Sequence, residues 1–88
     1  MIRRRVVVHG LGLGVFFRDS VRRRAVDAGV SGWVRNTREG TVEAVLEGES
    51  DAVAKLVAFC REGPRGARVE RVDATDEPPE GLSGFAIR

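Results

Sequence analysis

Apolar residues fall on alternate positions from Ile2 to Val8, with Ile2, Arg4, Val6 and Val8 on one face and Arg3, Arg5 and Val7 on the other, as in a strand. From Phe17 the period lengthens, and Phe17, Val21, Ala25 and Ala28 recur at the three- and four-residue steps of one helix face. This change of period constrains the chain more than any composition figure does. Neither pattern can fold as the other without turning its apolar side to water. Between the two lies "GLGLG", Gly10 to Gly14, so the first strand must turn almost directly into the first helix. Asp19 suits the positive first turn of that helix, and Gly29 suits its C-terminal stop.

The alternation then returns. "SGWVRNTREGTVEAVLEG" reads as a hairpin, with Val34 on one arm, Val42, Ala44 and Leu46 on the other, and turn residues from Asn36 to Gly40. A second helix follows from Ser50, its candidate cap, through Val53, Leu56, Val57 and Cys60 to Gly63 and Pro64. Val69, Val72 and Ala74 mark another strand, whose broken alternation between 69 and 72 suggests a bulge or a late start, and "GFAIR" supplies a short last strand. This order predicts an α+β fold, a ferredoxin-like βαββαβ sandwich. Its parts are a four-stranded antiparallel sheet, two helices on one face and a short extra C-terminal strand. No linker, repeat or low-complexity tract interrupts residues 1–88, which read as a single domain.

No apolar run approaches the roughly 18 residues of a membrane span. "MIRRRVVVHG" lacks both the apolar length and the cleavage site of a signal peptide. A cytoplasmic protein without membrane partners is expected. Cys60 is the only cysteine and His9 the only histidine, so neither an internal disulfide nor a metal site is expected. The net charge of +2 conceals an asymmetry: residues 1–38 hold nine arginines against Asp19 and Asp27, whereas residues 39–88 hold six basic and eleven acidic side chains. The first half therefore reads as a surface that meets an anion. Fourteen of the fifteen basic residues are arginine, which suits phosphate better than lysine does. A solvated basic surface is the plainer alternative.

No nucleophile with its base, metal cluster or poised carboxylate pair is visible. An enzyme built from this chain must act on an intrinsically reactive substrate, by positioning and charge stabilisation. The backbone N–H groups of Gly14 to Arg18 can converge on one anion at the helix N-terminus, with Arg18 adding a two-pronged cation. The same glycines also make an ordinary turn with a surface arginine, since neither nucleotide-loop pattern is present. Asn36 is open in the same way: it is a common hairpin residue, or a carboxamide that holds a water near the loop. His9 reads as a bystander on the first strand and Trp33 as packing on a sheet face. Arg22, Arg23 and Arg24 read as a solvated helix face that also raises the field at the loop.

Taken together, "GLGLGVFFR" and "GWVRNTREGTVE" resemble the acylphosphatase family, whose patterns are G-x-V-Q-G-V-x-F/Y-R and G-x-V/A-x-N-x-x-D/E/K-G-x-V. Gly10, Gly14, Val15, Phe17 and Arg18 match the first pattern. Gly32, Val34, Asn36, Glu39, Gly40 and Val42 match the second, and the likeness extends through "GPRGARVERVDA" to "GFAIR". The resemblance implies hydrolysis of small acyl phosphates to a carboxylate and inorganic phosphate, with no metal, no other cofactor and no covalent intermediate. It implies a substrate-binding set of Gly14, Val15, Phe16, Phe17 and Arg18. It also implies catalytic roles for Arg18, on the phosphoryl group, and for Asn36, on the attacking water. Gly12-Leu13 stands where the family has Val-Gln, which predicts a looser loop and weaker substrate affinity. A monomer is expected.

Two other classes stay open. One is a nucleic-acid-binding module of similar fold, against which stand the absence of tyrosine and of aromatics on the first strand. The other is a non-catalytic anion-binding domain, like the acylphosphatase-like unit of larger carbamoyl-transferring proteins. The 88-residue length favours a free-standing protein over that second class.

Overall fold

The computed structural model describes residues 1–88. Seven elements follow in order: β1 (Ile2–Leu11), α1 (Val15–Ala28), β2 (Ser31–Asn36), β3 (Val42–Gly48), α2 (Ser50–Glu62), β4 (Arg68–Glu77) and β5 (Phe85–Ile87). The strands form one sheet in the order β4-β1-β3-β2-β5. β1 pairs antiparallel with β3 and β4, and β2 pairs antiparallel with β3. The terminal strand is no appendage: β5 lies beside β2 and parallel to it, with Gly32 opposite Phe85. The expected four-stranded sandwich is thereby extended to a five-stranded mixed sheet.

The alternate positions of β1, β2 and β3 that face the helices make the floor of the core. Val6, Val8, Val34, Val42, Ala44 and Leu46 meet Phe17, Val21 and Ala25 of α1 and Val53, Leu56, Val57 and Cys60 of α2. Burying each of the larger of these side chains stabilises the fold by about 1.5–3 kcal/mol. In α1 the buried set includes Ser20 instead of the expected Ala28, and the Ser20 hydroxyl donates to the Phe16 carbonyl at 2.9 Å. Asp19 falls beyond the first turn of α1, and Glu49, not Ser50, is the N-cap of α2. The β4 bulge is present: partnering slips between His9 and Gly10, leaving Glu70 without a residue opposite.

The helix-free face explains the charge asymmetry. Arg3 Nε donates to Glu77 at 3.0 Å, Arg5 donates to Glu77 at 2.7 Å and to Glu43 at 2.6 Å, and Arg35 donates to Glu43 at 2.7 Å. Cations of the first half and anions of the second are therefore cross-strand partners, and much of the apparent anion-seeking field is neutralised within the sheet. Trp33 lies under the guanidinium groups of Arg88, Arg5 and Arg35, at 4.6, 5.6 and 6.0 Å from its ring. Beside this lattice, buried Glu47 accepts backbone N–H bonds from Glu80 at 2.7 Å and Leu82 at 2.6 Å. It clamps the segment that leads into β5.

Candidate active site

β1 reaches α1 through Gly12, Leu13 and Gly14, and the way this turn is held determines what its amides can do. Gly10 runs so close to β4 that any Cβ would collide with the Arg68 carbonyl. Gly12 takes φ +69°, and a Cβ there would stand 2.6 Å from the Gly66 oxygen. Leu13 turns inward and is 6% exposed. The loop expected to be slack is thus fastened: the freedom of Gly12 serves one backbone path, and Leu13 anchors that path in the core. Its buttress is the turn after α2, closed by the Ala67 N–H donating to the Pro64 carbonyl at 3.1 Å. In sequence "GPRG" reads only as a helix stop, and nothing local signals that its backbone carries the loop.

Gly14 is a glycine for a different reason. Its φ of −77° is ordinary, and a Cβ added to it would meet nothing within 4 Å. Neither backbone nor packing demands glycine here, so its absent side chain leaves open space in front of the helix end. The first bonds of α1 run from the Phe17 and Arg18 N–H groups to the Gly14 carbonyl, at 3.1 and 3.4 Å. The N–H groups of Val15 and Phe16 precede them and have no intrahelical acceptor, and that of Gly14 donates to no backbone carbonyl. Of the five amides expected to converge on an anion, three are open and two are engaged. Phe17 serves as the anchor of the helix, fully buried against the sheet.

Arg18 leaves the first turn of α1 with its side chain 26% exposed. Its Nε is buried and donates to nothing, the nearest carboxylate oxygen being Asp19 Oδ1 at 3.7 Å. A buried donor without an acceptor costs about 1–3 kcal/mol. Asn36 comes to the same loop from the end of β2: its Nδ2 donates to the Leu13 carbonyl at 2.6 Å. That bond fixes the carboxamide, because Oδ1 turned toward a carbonyl oxygen would be repelled, and it leaves Oδ1 as an acceptor. Behind Asn36 the hairpin is closed by the Thr37 N–H on the Thr41 carbonyl at 3.0 Å.

The other residues singled out in the sequence lie elsewhere. His9 Nε2 is 3.0 Å from Asp73 and 3.1 Å from Arg71, in an exposed cluster. Cys60 is buried among apolar neighbours, and burial pushes its thiol up to about 12. No group of three or more His, Cys, Asp and Glu side chains is placed to hold a metal ion, and no helix is long and apolar enough to cross a membrane. Sequence reasoning missed the side chain of Leu13, which reads there only as a departure from pattern. It also missed the part its carbonyl plays in holding Asn36.

The acylphosphatase family model matches residues 4–87. An acylphosphatase of Rubrobacter xylanophilus is 58% identical over 87 residues, which span 98% of this chain and 79% of that protein. The crystal structure of acylphosphatase from Bacillus subtilis superposes with a TM-score of 0.94 at 31% identity, covering 100% of this chain and 99% of its own. An acylphosphatase structure from Coxiella burnetii superposes with a TM-score of 0.93 at 39% identity, covering 99% of this chain and 92% of its own. The loop and the two polar side chains that meet at it are thus framed by a likeness that runs through almost the entire sequence, and the chain belongs to the acylphosphatase family.

Proposed function

We propose that this chain hydrolyses small acyl phosphates, holding the phosphoryl group with the amides of Gly14, Val15 and Phe16 and with Arg18, and holding the attacking water with Asn36. The observation that carries this reading is the buried, unpartnered Nε of Arg18 on the same helical turn as amides that the helix leaves unbonded. Asp19 Oδ1, at 3.7 Å, is too far to accept a hydrogen bond from that Nε, so this set of donors is suited to a bound anion.

A mixed anhydride of a carboxylate and phosphate is already activated, so the protein need only position it and stabilise charge. Water oxygen bonds to phosphorus while the bridging P–O bond breaks, and the carboxylate leaves with the electron pair. One water proton stays on the new P–OH and the other passes to a non-bridging phosphoryl oxygen. No protein base is required in this scheme. Asn36 Oδ1 accepts from the water while Nδ2 keeps its bond to Leu13. The water is thereby referred to the same loop that holds the phosphoryl group.

All these groups come from one chain, which supports action as a monomer. The lone, buried cysteine suits a reducing compartment such as the cytoplasm. A nucleic-acid-binding role is disfavoured by the paired charges of the helix-free face and by Trp33, which is 9% exposed beneath its guanidinium groups. The test is phosphate release from benzoyl phosphate by the wild type, Arg18→Ala and Asn36→Ala. Arg18→Ala should impair both KM and kcat, and Asn36→Ala mainly kcat. Two folded variants with wild-type rates would end the proposal.

A further inference from the structure

We infer that the exposed ring of Phe16 is the platform for the acyl half of the substrate, and that it selects aromatic and other apolar acyl groups. The inference rests on the roles proposed for Arg18 and Asn36.

Displacement at phosphorus runs in line, with the attacking and leaving oxygens on opposite sides of the phosphoryl group. Asn36 borders a cleft of about 450 Å³ with Arg5, Trp33, Arg35, Glu43 and Arg88, but its carboxamide turns the other way, to the Leu13 carbonyl, on the face of β2 that carries Val34. A water held by Asn36 is therefore delivered from the β2 side of the loop, and the acyl group departs toward the other. On the other side lies the groove between α1 and α2, about 880 Å³, and Phe16 is one of its walls beside Pro64 and Arg65. Phe16 therefore belongs to both places. Its N–H is among the open amides of the loop, and its ring faces the groove with 59% of the residue exposed.

Folding does not account for that ring. The buried contacts of α1 are made by Phe17, Ser20, Val21 and Ala25, while Phe16 and Val15 stand in solvent. The groove continues away from Phe16 over Ala52, Leu56 and Phe59, the last covered by the Arg24 guanidinium at 4.0 Å. The cleft on the helix-free face offers no equivalent surface, since Trp33, its only aromatic residue, is 9% exposed under Arg5, Arg35 and Arg88.

The experiment compares benzoyl phosphate with acetyl phosphate, whose acyl group is too short to cover the ring, using the wild type, Phe16→Ala and Phe16→Leu. Phe16 is exposed, so both variants should fold. The ratio of the benzoyl to the acetyl KM should rise about three- to ten-fold in Phe16→Ala, the scale of one aromatic contact, and less in Phe16→Leu. The inhibition constant of inorganic phosphate, which meets the loop without meeting the ring, is measured on each variant. A KM ratio within about twofold of the wild type, or both KM values rising in step with the phosphate constant, overturns the inference and leaves hydrolysis standing. A wild type that releases phosphate from neither substrate overturns the reading of the site, and this inference with it.

Discussion

Installing the family's Val-Gln at positions 12 and 13 should cost stability without tightening the loop. Gly12 sits at φ +69°, where an L residue is disfavoured by about 1–2 kcal/mol. The new Cβ would also stand 2.6 Å from the Gly66 oxygen, a backbone atom that cannot rotate aside. Leu13, 6% exposed, gives up about 2–3 kcal/mol of burial when glutamine replaces it. The double variant should therefore lose about 3–5 kcal/mol, a large part of the 5–15 kcal/mol typical of a small domain. At roughly 4–8 °C per kcal/mol for a chain of this size, Tm should fall by about 12–40 °C. Thermal melts followed by circular dichroism on Gly12→Val, Leu13→Gln and the double variant measure this, and the singles show how far adjacent sites depart from additivity. A double variant melting within about 3 °C of the wild type would refute the account of how the loop is fastened.

Other outcomes follow from the same geometry. Glu47 is held below its ordinary value of 4.5 chiefly by the Glu80 N–H, against the opposing effect of burial, and Glu77 is lowered first by Arg5 and then by Arg3. Carboxyls lowered by folding stabilise when ionised, so their contribution is complete above about 4.5 and is lost as pH falls through the lowered values. Tm should be flat from neutrality to about pH 5 and then decline, and Glu47→Gln should lower Tm at pH 7 and flatten the acid limb. An unaltered limb would remove Glu47 from that explanation. Gly14→Ala should shift Tm by no more than about 5 °C, since its Cβ meets no neighbour, yet weaken phosphate binding by filling the space before the amides. Equal phosphate affinity in that variant, by calorimetry, would count against the cradle. Cys60, with its thiol pushed up to about 12, should resist alkylation at pH 7 until the chain is unfolded. Labelling at native rates would show the core to be open.

Much of this was legible in the sequence because it depends on neighbours. The alternation of Ile2 to Val8 and the helical steps of Phe17, Val21 and Ala25 place the elements, and the broken spacing of Val69 and Val72 marks the bulge found opposite His9 and Gly10. What was not legible depends on residues far apart. Arg5 and Glu77, 72 positions apart, look like unrelated surface charges until β1 and β4 pair. The parallel seat of β5 beside β2 leaves no mark in a three-residue strand. At the site, Arg18 and Asn36 could be named from their motifs, but the Leu13 carbonyl that ties Asn36 to the loop needs the topology. Gly12 could be seen as a departure from the family pattern. Only the nearness of Gly66 shows that the departure is a fitted conformation.

The most direct test is a titration of the protein with inorganic phosphate followed by amide and arginine side-chain NMR. The largest shifts should fall on the backbone N–H groups of Gly14, Val15 and Phe16 and on the Nε–H of Arg18, with little change at the His9 and Asp73 cluster. Saturating phosphate that leaves those four signals in place, or that moves others instead, would contradict the proposed cradle.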